Sequence, residues 1–77
     1  MDKSTILKAL GIVSTLYRVE EINIERKNKM LTLIMNNDDG AFNKELHRIR
    51  EFSSLKSLID GYLNGFKEKG GNNYGED

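Results

Sequence analysis

The residue best suited to proton transfer near neutral pH is His47, the single histidine of the chain. On an extended backbone Asn43, Glu45 and His47 share one face, and a carboxylate beside an imidazole is a familiar acid–base pair. Neither a nucleophile nor a phosphate-binding loop accompanies them. Without a second histidine or any cysteine, a metal ligand set is also missing. The expectation is an exposed histidine on a polar face, in a protein that is not an enzyme and uses no cofactor. Asn37–Asp38–Asp39–Gly40 spaces oxygen donors as part of a calcium loop would, but the distal bidentate glutamate of such a loop does not follow. Turn chemistry accounts for the same four residues: Asn and Asp bond back to their own backbone, and Gly accepts positive φ.

Basic side chains gather at Arg26, Lys27 and Lys29, and again at Lys44, Arg48, Arg50 and Lys56. Of these, Arg48, Arg50 and Lys56 are the candidates for phosphate contact if the chain binds nucleic acid. Glu20, Glu21, Glu25, Glu45 and Glu51 interleave with them, as on an ordinary solvated face. Twelve basic residues balance twelve acidic ones. A neutral chain is a poor generic polyanion binder, so nucleic acid is the second reading rather than the first.

These residues must be positioned by a very small structure. At 77 residues the chain makes one domain with a thin core. It has no Cys for staples, which points to the cytoplasm, and no apolar run long enough to span a membrane. Ile6, Leu10, Val13 and Tyr17 recur at helical spacing after the capping candidates Asp2 and Ser4, with Gly11 as a local cost. From Val19 to Arg26 the period becomes two, Ile22 and Ile24 alternating with Glu21, Asn23 and Glu25, which predicts a strand. Lys27–Asn28–Lys29 reads as a turn, Met30 to Met35 as an apolar strand, and Asn36 to Gly40 as a hairpin loop. Ala41 to Phe52 is ambiguous. Phe42, Leu46 and Ile49 fit a helix, but a tight turn after a strand leads most economically into its antiparallel neighbour. Ser53 or Ser54 then caps a last helix carrying Leu55, Leu58, Ile59, Tyr62, Leu63 and Phe66. In it Gly61 and Gly65 allow close approach to the sheet.

The expected fold is α+β: an N-terminal helix, a three-stranded antiparallel meander and a C-terminal helix over residues 1–69, with a polar tail at 70–77. A small all-helical bundle is the competing reading, and it hinges on Ala41 to Phe52. The aromatic set Tyr17, Phe42, Phe52, Tyr62 and Phe66 is expected to fill the core, while Tyr74 stands alone in the tail.

The stretch Leu31 to Phe66 resembles the corresponding part of small phage-type proteins, in particular the Cas9-inhibiting anti-CRISPR proteins. The matching residues are the apolar segment ending in Asn36–Asn37–Asp38–Asp39–Gly40, and the helix with Leu58–Ile59, Tyr62 and Asn64–Gly65–Phe66. The resemblance implies a phage or mobile-element accessory protein that inhibits or modulates a larger host protein in the host cytoplasm. On the predicted sheet Glu21, Glu25, Asp38, Asp39 and Glu45 form the candidate partner-binding face, facing a basic surface.

Overall fold

The structure, a computed structural model, describes residues 1–70, with side chains through residue 65. It corrects the expected fold class. Among the described residues there are four helices and no strand: α1 (Lys3–Arg18), α2 (Ile24–Met35), α3 (Asp39–Arg50) and α4 (Lys56–Gly70). Each helix packs on the ones before and after it, and α1 closes the ring against α4. Two contacts set the directions. The Met1 ammonium lies 3.4 Å from Asn37 Oδ1, so α1 begins beside the α2–α3 turn. Glu21, just past the end of α1, bonds to Ser53 and Ser54 between α3 and α4. The helices therefore alternate up and down, as short connections require.

The predicted first strand fails because its alternation spans a helix boundary. Asn23 is the N-cap of α2, its Oδ1 accepting the Arg26 N–H at 2.8 Å, and Glu25 lies in the first turn where the helix dipole favours an acid. The second fails because a short apolar run carries no period of its own. In Met30–Met35 the helix buries Met30 and Ile34, one turn apart, half-buries Leu31 and Leu33, and leaves Met35 81% exposed. In the ambiguous third segment the helical spacing prevails: Phe42, Leu46 and Ile49 are completely buried.

Residues 36–40 do turn the chain, but between helices. Asn36 is the C-cap of α2, and Asn37 takes the left-handed conformation at φ 56°. The Asn37 N–H reaches the Ile34 carbonyl at 3.0 Å and the Asp38 N–H reaches Leu33 at 2.9 Å, the two bonds of a Schellman motif. Asp38 then caps α3 through the Ala41 N–H, with Gly40 already inside the helix. The same motif ends α1. There Glu20 holds φ 64°, with bonds from Glu20 N–H to Tyr17 and from Glu21 N–H to Leu16. A glutamate in this conformation costs about 1 kcal/mol that glycine would not. Glu20→Gly should therefore stabilise the fold by about 0.5 kcal/mol after the added unfolded-chain entropy, while Glu20→Val should destabilise it. Urea unfolding of the two variants checks both signs.

The core is Ala9, Ile12, Val13, Leu16, Ile22, Met30, Ile34, Phe42, Leu46, Ile49, Ile59 and Tyr62. Phe42 and Tyr62 meet edge to face, with centroids 5.7 Å apart. The buried stripe of α1 is Thr5, Ala9, Ile12, Val13 and Leu16; it shares Val13 with the expected one but is rotated from it, so Leu10 and Tyr17 lie towards solvent. Tyr17 packs under Lys27, whose Nζ is 4.5 Å from the ring centroid. Phe52 is also outside the core, at 63% exposure. The tail from residue 71, including Tyr74, lies outside the described residues, and Gly70 is the last residue of α4.

Candidate functional site

Three polar clasps account for much of the charge singled out in the sequence. Glu45 on α3 is buried, and its oxygens face two cations of α2: Arg26 Nη1 at 2.8 Å and Lys29 Nζ at 2.9 Å. The Lys29 hydrogen bond, helped by the charge of Arg26, holds the Glu45 carboxyl below its ordinary value against the opposing effect of burial. Arg50 on α3 grips Asp60 on α4 with two parallel bonds, Nε to Oδ1 at 2.5 Å and Nη2 to Oδ2 at 3.0 Å. This hydrogen bonding lowers the Asp60 pKa.

The third clasp joins two loops. Ser53 Oγ donates to Glu21 Oε1 at 2.5 Å, while Ser54 donates to Oε2 through both its N–H, at 2.9 Å, and its hydroxyl. Ser53 Oγ in turn accepts the Leu55 N–H at 2.8 Å. The two serines thus serve the Glu21 carboxylate and the loop rather than the first turn of α4, as the sequence suggested. The bonds from Ser53 and then Ser54 pull the Glu21 carboxyl below its ordinary value.

All three carboxylates bind protons more weakly in the fold than in the open chain. Their contribution is complete above the ordinary values of 4.5 for Glu and 3.8 for Asp, and is lost as pH falls through the depressed ones. Thermal midpoints should therefore hold from neutral pH down to about 5 and then decline, less so in Glu21→Gln, which has lost one of the three titrating groups. Thermal scans from pH 7 to pH 2 read this directly. Tyr62 acts at the other end. Burial, with Asp39 and Asp2 adding to it, pushes its phenol up to about 12.

His47 and Glu45 do not form an acid–base pair. Two residues apart on a helix, they point to different sides, Glu45 inward and His47 to solvent. The expected carboxylate face is dispersed by the change of fold. Glu21 and Glu45 are clasps, Asp38 is a helix cap, and Glu25 and Asp39 sit in the first turns of α2 and α3. Of the nucleic-acid candidates, Arg50 is held by Asp60, while Arg48 and Lys56 are exposed. No group of three or more metal-ligating side chains forms among the described residues, and no helix there is long and apolar enough to cross a membrane.

What the sequence did not disclose is a groove between α1 and α4. Its volume is about 490 Å³, and its walls are Lys8, Gly11, Ile12 and Thr15 from α1 with Ser57, Leu58, Gly61 and Tyr62 from α4. The exposed surface of these walls is mainly apolar. Gly11 and Gly61 lie inside helices, where each costs about 1 kcal/mol relative to alanine. Neither holds positive φ, and a Cβ built on either meets no atom within 4 Å. Internal packing therefore does not require them. Leu7, one turn before Gly11, is 64% exposed, and Leu58 on the opposite wall is also exposed.

The chain has no match among protein-family models, curated proteins or solved structures. Its function has to be read from its own surface.

Proposed function

We propose that the chain is a non-enzymatic protein-binding module, an inhibitor or modulator of a larger cytoplasmic protein, that engages its partner through the α1–α4 groove. The observation that carries this reading is the open apolar groove, which the described side chains of the bundle leave unfilled. Exposed apolar surface in a chain this small lowers solubility unless something covers it, and a concave one suits a protruding partner element. The dispersal of Glu45 and His47 supports a binding rather than a catalytic role, and the absence of cysteine from the sequence suits the cytoplasm.

The test is site-resolved cross-linking in the cell. A photoreactive residue at Thr15 or Ser57, on the groove walls, should give a discrete adduct with one partner. The same residue at Asn28, on the exposed side of α2, should give none. Adducts from Asn28 with none from the groove would place the interface elsewhere.

A second reading, nucleic-acid binding, rests on Lys44 and Arg48, one turn apart on α3 and sharing a crevice with Lys29. It requires affinity that falls steeply with salt, and a shallower slope in Arg48→Ala. Weak binding with a flat salt response excludes it.

A further inference from the structure

Resting on the reading of the groove as a docking site, we infer that its occupant is an acidic amphipathic helix of the partner protein, laid between α1 and α4. The charge of the walls selects the sign. Lys8 lines the groove, and Arg18 donates from Nη2 to the hydroxyl of the lining Thr15 at 3.4 Å. No acidic residue occurs anywhere in α1, and the described ion pairs include neither Lys8 nor Arg18. Asp60, the acid among the α4 residues whose side chains are described, is neutralised by Arg50. The groove therefore presents the uncompensated positive charge of Lys8 at its α1 wall, with Arg18 at its edge in a neighbouring pocket beside Glu20 and Glu21, in a chain whose net charge is zero.

The shape selects a helix. No strand among the described residues offers an edge for an added strand, and Tyr62 is the single aromatic among the described residues of walls that a proline-rich ligand would need lined with aromatic rings. Two adjacent helices with glycine at facing wall positions leave a trough into which a third helix can bring its backbone close. Lys8 and Arg18 are ten residues apart, about 15 Å along α1 at 1.5 Å per residue. The matching partner helix carries acids about 15 Å apart, with large apolar side chains at helical spacing between them to meet Ile12, Leu58 and Tyr62. A second copy of this chain fits less well, because apposing two α1 helices brings Lys8 and Arg18 against their own kind.

The probe is a synthetic amphipathic helical peptide of about 16 residues, with leucines at i, i+3 and i+7 flanked by glutamates. Its counterpart has lysine in place of each glutamate. Fluorescence anisotropy at low salt should show the glutamate peptide binding about tenfold more tightly, with amide shifts centred on Gly11 and Gly61. Lys8→Glu with Arg18→Glu, both exposed, should reverse the preference, and Gly61→Leu should abolish binding of either peptide. If Gly61→Leu unfolds, Gly11→Leu performs the same blockade from the other wall. Equal binding of the two peptides, or shifts centred on α2 and α3, overturns the inference. So does a concentration-dependent dimer dispersed by Gly61→Leu. If neither peptide binds while Thr15 and Ser57 still cross-link a partner, the acidic helix is wrong and the docking groove stands. If the cross-links are absent as well, both readings fall.

Discussion

Glu45→Ala is expected to destabilise the bundle by about 2 kcal/mol, a large share of what a domain this size holds. The carboxylate is 8% exposed and joins Arg26 and Lys29 of α2 to α3. Removing it deletes two charge-assisted hydrogen bonds and leaves a void where the side chain packed. The loss stays below the ~3–5 kcal/mol of a fully buried pair because Arg26 and Lys29 are 40% and 61% exposed and can turn to water. Glu45→Met keeps the volume and should cost less than about 1 kcal/mol. The pair of variants separates packing from charge, and pH gives a second axis. The wild-type clasp weakens as pH falls through the depressed Glu45 value, so the gap between wild type and Glu45→Met should close in acid. Urea unfolding at pH 7 and pH 3 measures both. Glu45→Met should also bind its partner as well as the parent does, since a clasp between α2 and α3 lies outside the docking groove.

Replacing both Gly11 and Gly61 by alanine should raise stability by about 1.5–2 kcal/mol, seen as a thermal midpoint about 6–16 °C higher. Each alanine removes the conformational entropy that glycine adds to the unfolded chain, and each new Cβ enters open space. If the two glycines serve the groove, the stabilised variant should lose affinity for the partner as it gains stability, because two methyl groups now stand between α1 and α4. Equal stability of variant and parent would mean that the helices already tolerate glycine at these sites.

The elements differ in how far the sequence revealed them. The caps were local and could be read: Asp2 accepts the Thr5 N–H at 2.8 Å, and residues 36–38 end one helix and begin another. What joined at that turn was not local. An Asn that tolerates positive φ serves a hairpin or a Schellman motif equally well, and the hairpin reading carried its neighbours into strands. The helical spacing of Phe42, Leu46 and Ile49 was visible, but it was outweighed by the economy of antiparallel pairing. Ile22 and Ile24 misled for a different reason: one is buried in a loop, and the other is exposed at the start of α2. The site was less legible than the fold. In the sequence Gly61 and Gly65 look like points of close approach, but to a sheet that does not form among the described residues, and Gly11 looks only like a cost. Their meaning depends on which helices become neighbours, and α1 and α4 are the most distant pair in the sequence.

Gly61→Leu tests most directly whether the open α1–α4 groove is the docking surface of a protein-binding module. The variant should keep the far-ultraviolet circular dichroism of a helical bundle and a thermal midpoint no lower than the parent's. Its photo-adduct from Thr15 should disappear. A folded Gly61→Leu protein that still gives the parent's adduct in undiminished yield would contradict the account.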